Sequence, residues 1–580
     1  MNSGRYMPQM SSLPRERQWK ISCVLLLLPV LATASGLYLS KTNNSIPLMI
    51  VLVIISVSPT ILFRLDGGAL ETGLYGVSLA LLFQNTMIHR NLLGGDAGHE
   101  YYLANIVFHH GWDPNAAIAH NNLIRLTIGH PIFAKVTGMD LIWSFKLAHP
   151  IIIAIIPLVL YKISKIYFNK YVSLSSALTY IFLHPYFTRL ARDTRTGTAM
   201  LLFAVLVLCV LKFRHKMRGE KGYHLTVLIL GLGLIFAHEG TAILGLGMIL
   251  LTITVEQFFN PRPRDVILFT IVGIMMYLVY TLTVDGKMFV TVVSVVYEVT
   301  TQISSFGLSS GSAASSAATA TLESITYEVI RFEFIIIFGL AGFGYLFLLY
   351  DNIETGMRVR NLDFLCLSGS SFLLIAVSFA PFTIFGVSRI SMIAGLAVVP
   401  IFTYLVLSSR YIDKRIMCIV LSLMLVLNSG VFAVFAGERS PQPNLQRDAI
   451  EPKDNIEYFH LRSGWATDGE VIASDWLLSH IQKDEKIYAP NGAGGFQSYF
   501  STTEIYTERP PGNVHDLACN TTNPGYLYLN KYAVDTGVAR SLSASYTSTI
   551  EINTNTSSYD IYYSSGHGKV GWLPKNQRLC

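Results

Sequence analysis

Between residues 21 and 436 the chain repeats one pattern: an apolar block near twenty residues long, then a short polar break. About twenty apolar residues make a helix that crosses the hydrocarbon core of a bilayer. Inside lipid the backbone must satisfy its own hydrogen bonds, so such blocks fold as helices. The pattern predicts an α-helical polytopic membrane protein with about 13 transmembrane helices. The expected spans are 21–41, 46–64, 72–88, 147–168, 171–187, 197–213, 223–237, 240–256, 265–285, 332–350, 362–380, 384–407 and 415–436. Composition agrees: 14% of residues are charged, against about 25% in soluble domains.

Charge placement gives the orientation. The N-terminus, 1–20, is polar and basic (Arg5, Arg15, Arg17, Lys20) and is assigned to the cytoplasm. The first span is too long for a signal-peptide core and lacks a small-residue cleavage site, so it reads as an uncleaved helix. The cytoplasmic loops then hold most of the Lys and Arg, including Lys212, Arg214, Lys216, Arg218 and Lys221 in one of them, as the positive-inside rule requires. An odd number of spans puts 437–580 outside the cell membrane. The sequons at Asn43, Asn520 and Asn555 then share that side. The formal charge of +6 is the ordinary excess of cytoplasmic loops and calls for no nucleic acid. Cys23, Cys209, Cys366 and Cys418 fall in apolar segments. Cys519 and Cys580 fall in the tail, where an oxidising compartment would let them pair.

The chain therefore divides into a cytoplasmic terminus 1–20, a membrane domain 21–436 with external loops 89–146 and 286–331, and an extracytoplasmic α/β domain 437–580. Loop 286–331 contains a Ser/Ala/Gly run from Gly307 to Thr321, a composition of lids and of plain connectors alike. In the tail, Glu470–Ile481 reads as an amphipathic helix. Lys486–Ala489, Tyr526–Leu529 and Tyr559–Tyr563 read as strands.

Five places carry chemistry. The first is Gly94–Tyr102, where Asp96, His99 and Glu100 stand within five positions. Two acids four residues apart share a helix face; they suit a divalent cation or a general base, or a helix cap with a first-turn acid. The second is Arg189, Arg192 and Arg195 with Asp193 among them, outer-side arginines that break the charge rule. Arginine grips phosphate with paired donors, though it also snorkels to headgroups. The third is His238 with Glu239 in a tight link between spans, either functional or a plain turn. The fourth is Arg389, just inside the outer end of the twelfth span. The fifth is Glu323 and Glu328 at the end of the second long loop, able to assist a site or merely solvated. All five fall on the outer side.

The segment Gly95–Asn105, the Thr188-Arg189 segment, Asp193 and the thirteen-span plan with its external tail resemble the GT-C superfamily of membrane glycosyltransferases. More narrowly they resemble archaeal polyprenyl (dolichyl)-phosphate-sugar transferases and related uncharacterised archaeal membrane proteins. The resemblance implies transfer of a sugar from a polyprenyl-phosphate carrier to a glycan, lipid-linked or protein acceptor at the outer face, in protein glycosylation or envelope assembly. On that reading Asp96 is the general base, with Glu100 or His99 assisting. Arg189, Arg192, Arg195 and Arg389 stabilise the lipid phosphate. A Mg²⁺ or Mn²⁺ on Asp96, Glu100 and Asp193 becomes the alternative if the carrier is a diphosphate. The plan also resembles the catalytic subunit of oligosaccharyltransferase. The tail, however, lacks that family's Trp-Trp-Asp motif, the nearest fragments being Asp475-Trp476 and Gly464-Trp465. A transporter or lipid flippase is the rival from another class. It would show mid-membrane charges and inverted repeats, whereas here the charges gather at one face and no repeat is evident.

Overall fold

The computed structural model describes residues 13–88, 96–112, 128–192, 194–216, 221–259, 325–354, 361–378, 387–409 and 412–438, with isolated positions and the strands of the tail beyond these. The helices in order are α1 Arg15–Leu25, α2 Leu28–Thr42, α3 Ile46–Ser56, α4 Ser58–Leu62, α5 Gly67–Thr86, α6 Asp96–His110, α7 His130–Thr137, α8 Leu141–Trp143, α9 His149–Ile153, α10 Ile156–Tyr167, α11 Lys170–Phe182, α12 Thr194–Lys216, α13 Lys221–Ala237 and α14 Glu239–Phe259. After these come α15 Ile325–Glu354, α16 Leu362–Ser378, α17 Val387–Ser408, α18 Lys414–Asn428 and α19 Val431–Phe435. Among the described residues, π-helical turns at Ser144–Ala148 and Tyr186–Leu190 interrupt this series, and Ile128 and Gly129, just ahead of α7, are π-helical as well.

A helix stands at every expected span except 265–285, most of which lies outside the described residues. Among the described residues, six helical stretches are long and apolar enough to cross a membrane: Arg15–Thr42, Leu141–Tyr167, Thr194–Lys212, Gly240–Gln257, Glu328–Asn352 and Arg389–Ser408. Several are broken within their length, and proline marks the breaks. Pro29 follows the break between α1 and α2, Pro59 that between α3 and α4, and Pro157 that between α9 and α10. Each lacks the N–H that would bond four residues back, and its ring crowds the carbonyl there.

One large apolar core runs through α1–α5 and α9–α19. Polar pairs tie the helices within it, as where the Ser176 and Thr403 hydroxyls meet at 2.7 Å. A second, small core of Ala104, Ala134, Leu141 and Phe145 joins α6, α7, α8 and the first π-turn into a separate lobe. The loop expected at 89–146 is thus partly a packed helical unit.

The tail is described in part. Ile472, Ala473, Trp476, Leu477 and His480 are helical, with Ala473 and Leu477 buried. Strands β1 Lys486–Ala489, β2 Val514–Asp516, β3 Asn520–Thr521, β4 Gly525–Leu529, β5 Val538–Leu542, β6 Thr549–Asn553, β7 Asp560–Ser564, β8 Lys569–Leu573 and β9 Gln577–Arg578 follow. Five of them form a mixed sheet in the order β2-β1-β4-β8-β7. In it β1 runs parallel to both neighbours and β8 antiparallel to both of its own.

Candidate functional site

The site forms where the small lobe meets the main bundle. Asp96 is the first residue of α6, and Glu100 stands one turn later. Glu100 is 1% exposed, and its Oε1 accepts from Arg195 Nε at 2.7 Å. Its Oε2 accepts from the Thr194 hydroxyl. Thr194 and Arg195 open α12, so a buried carboxylate sits at a helix N-terminus, where the backbone dipole favours it. The acid expected as helper base or metal ligand is therefore joined to an arginine expected to hold phosphate. Both carboxylate oxygens of Glu100 thus accept bonds from the start of α12. The side chains of Asp96, His99 and Glu239, and the whole of Asp193 and Glu323, lie outside the described residues.

Two π-turns face the junction, one from each side. In the first, the N–H of His149 reaches back five residues to Ser144 O. Pro150 follows; it has no N–H to offer Lys146 O, and its ring crowds that carbonyl. The wider turn carries Lys146, which is 1% exposed, with Nζ 5.7 Å from the Trp143 ring centre.

The second π-turn is held by side chains from two helices, α5 and α9. Ser78 of α5 meets the Tyr186 hydroxyl at 2.6 Å, and Asn85 Nδ2 donates to Phe187 O at 2.9 Å. His149 Nε2 bonds Leu190 O at 3.0 Å. Just before the turn, His184 Nδ1 donates to Asn428 O at 3.0 Å, and Asn428 Nδ2 donates to Phe182 O at 3.0 Å and to the Glu333 carboxylate at 2.9 Å. π-Turns concentrate at functional sites because they re-aim side chains and leave carbonyls to be capped. This one carries Arg189 and leads to Arg192, whose Nε donates to Thr188 O at 3.0 Å. Gly197 completes the fit. A Cβ there would lie 2.7 Å from His149 Cε1 and 3.2 Å from Leu190 O.

Between lobe and bundle opens a small cleft. The lobe side offers Ala97, Phe145 and Lys146, with Leu92 beside them; the bundle side offers Thr86, Ala191, Arg192 and Thr194. Two cationic side chains thus line an otherwise small and apolar space, next to the residue that follows Asp96. This combination suits an anionic group attached to an apolar body. Nearby, burial and the Asp140 carboxylate push the Tyr101 phenol up to about 12, so it stays protonated near neutral pH.

Three other sequence candidates are described. His238 is buried, and its Nδ1 accepts from the Thr241 N–H at 3.1 Å, capping α14. Glu328 forms a loose pair with Arg331 at 4.0 Å, half exposed, and does not line the cleft. Arg389 sits half-buried in the first turn of α17. The residue missed by sequence reasoning is Lys146. Its signal was available: like the arginines, it is a positive charge abutting a span on the side expected to lack one.

No family model and no curated protein matches the chain. Among solved structures the chain is similar to ArnT from Cupriavidus metallidurans, solved bound to undecaprenyl phosphate. Identity is 11%, coverage is 86% of this chain and 97% of that one, and the TM-score is 0.44. It is also similar to the Archaeoglobus fulgidus oligosaccharyltransferase in complex with zinc and sulfate, at 11% identity over 84% of this chain and 68% of that one, with a TM-score of 0.42.

Proposed function

We propose that the protein is a membrane glycosyltransferase that moves a sugar from a polyprenyl-phosphate carrier to a hydroxyl-bearing acceptor at the cleft. The observation that carries the reading is the cleft itself: Lys146 and Arg192 stand on opposing walls beside the acid-bearing start of α6. The acceptor hydroxyl attacks the anomeric carbon as the bond from that carbon to the phosphate oxygen breaks. The hydroxyl proton passes to the Asp96 carboxylate. The polyprenyl phosphate leaves with the bonding electrons, and Lys146 and Arg192 stabilise its added charge. Glu100 acts one step away: it holds Arg195 and Thr194, and with them the end of α12 that closes the cleft. The sequence resemblance to GT-C enzymes supports the same reading, including an acceptor in protein glycosylation or the envelope.

The test is sugar transfer in membranes supplied with a charged polyprenyl-phosphate sugar. Asp96→Asn and Lys146→Met should each lower transfer at least 100-fold, about 2.7 kcal/mol of transition-state stabilisation, with both variants extracting as folded protein. Unchanged transfer in Asp96→Asn would refute the assignment. Loss of lipid translocation with transfer intact would favour a flippase.

A further inference from the structure

Glu333 carries a carboxylate that neither lines the cleft nor enters the proposed chemistry. It stands in the third turn of α15. Both its oxygens accept from one amide, Asn428 Nδ2, at 2.9 Å. Asn428 is the last residue of α18 and is fully buried. The place is unusual for an acid. Both α11 and α18 end there, and the carbonyl end of a helix disfavours an anion. Hydrogen-bond acceptance, rather than charge, is what such a position can use.

The bond it accepts fixes a reciprocal pair of helix caps. α11 ends at Phe182, ahead of Pro185, which has no N–H to continue a helix, and the Tyr186 N–H goes to Leu183 O at 3.0 Å. Phe182 O therefore lacks the N–H four residues on that a continuing helix would give it. Asn428 Nδ2 takes that place at 3.0 Å. In return the His184 ring donates from Nδ1 to Asn428 O at 3.0 Å, a carbonyl at the end of α18. This exchange needs the amide one way round, with Nδ2 toward Phe182 O. An amide's oxygen and nitrogen ends are nearly alike in shape and differ in what they bond, so packing alone does not choose between them. The Glu333 oxygens do choose. They hold the orientation although it leaves Asn428 Oδ1 buried without a hydrogen-bond partner.

The bonds continue from His184 to the cleft. The Thr188 hydroxyl donates to His184 O at 2.6 Å, and Arg192 Nε donates to Thr188 O at 3.0 Å. We infer that Glu333 is a positioning residue for sugar transfer. By accepting from Asn428 it sets the amide that caps α11, and through His184 and Thr188 it holds the Arg192 guanidinium on the cleft wall. The part played in transfer rests on the glycosyltransferase reading, whereas the setting of the turn does not. Arg192 meets the phosphate most strongly as charge develops in the transition state. Loss of Glu333 therefore lowers kcat and leaves KM for the lipid-linked donor nearly unchanged.

Kinetics and amide hydrogen exchange test this together in the full-length protein in detergent. Glu333→Leu, which cannot accept the bond, should lower kcat at least tenfold, with KM for a polyprenyl-phosphate sugar within threefold of the parent. Glu333→Gln keeps a carbonyl oxygen for Asn428 and should bring kcat back to within threefold. Adding Glu333→Leu to Arg192→Met should change kcat less than twofold, because the two act through one group. Exchange over residues 184–192 should quicken at least fivefold in Glu333→Leu and revert in Glu333→Gln, with α5 and α10 unaltered. Glu333→Ala takes the place of Glu333→Leu should that variant not fold. A Gln variant as slow as the Leu variant would overturn the inference. So would effects of Glu333→Leu and Arg192→Met that multiply, or exchange that stays unchanged at 184–192 or quickens throughout the bundle. A parent that transfers no sugar would defeat the glycosyltransferase reading, and exchange over 184–192 would then decide alone whether Glu333 sets the turn.

Discussion

Glu100 and Arg195 stand 95 positions apart in the chain and 2.7 Å apart in space. Both are nearly fully buried, so the pairing offsets the cost of taking each charge out of water. Removing one partner of a buried ion pair is strongly destabilising, by up to about 3–5 kcal/mol. Glu100→Gln should therefore lower the thermal midpoint of the purified protein sharply. Glu100→Gln with Arg195→Met, which removes both charges, should recover most of the loss. If the single variant melted with the parent, the pair would not be the strut described here. The sequence showed both residues as candidates, because acids and arginines at a membrane face are conspicuous. It could not show that they meet. Nothing within a few positions of either residue points to the other, and so one was assigned to proton or metal chemistry and the other to phosphate. His238 illustrates the opposite outcome. Its capping of α14 is a local bond over three residues, of a kind that a tight link between two spans suggests from sequence.

Helices were the most legible elements, because twenty apolar residues between charged ends leave a membrane segment few other choices. The π-turns were not legible. They depend on prolines acting together with neighbours from other helices, and hydropathy is indifferent to them. The short α7 also went unread, since eight residues with apolar positions on both sides have no clear period. The second π-turn gives a test of how tightly these elements are set. His149, fully buried, is pressed between Gly197 and Leu190 O. Gly197→Ala must push the imidazole or the α12 backbone aside, which should cost about 1–3 kcal/mol as an overpacking change. It should also weaken transfer, because Arg192 follows directly from the displaced turn. A variant as stable and active as the parent would mean the turn yields more easily than its hydrogen bonds suggest.

At the scale of the whole molecule, the chain joins a helical membrane bundle to a tail built around a mixed sheet. The tail's strands were read at β1, β4 and β7 from short runs of Tyr, Ile and Leu. Their order was not readable, since β1 and β4 pair in parallel across a long stretch of chain, and such pairing leaves no local mark. In the tail, β3 and β9 pair with Asn520 opposite Arg578. Cys519 is one residue from the first and Cys580 two from the second; both cysteines lie outside the described residues. Protein from an oxidising compartment should yield a Cys519–Cys580 linked peptide on non-reducing digestion. Recovery of both cysteines as free thiols would count against that pairing and against an oxidising location for the tail.

The turn at Ser144–Ala148 is, in effect, an α-helix holding one residue more than its pitch allows. Loss of a single residue there would leave a hydrophobic helix of spanning length and an almost unchanged hydropathy profile. It would also turn the helix by about 100° and swing Lys146 off the cleft wall. Spanning the membrane and presenting the lysine are thus separable properties of one segment. A one-residue difference in length, the kind that alignments of membrane helices readily absorb as a gap, would be enough to part them.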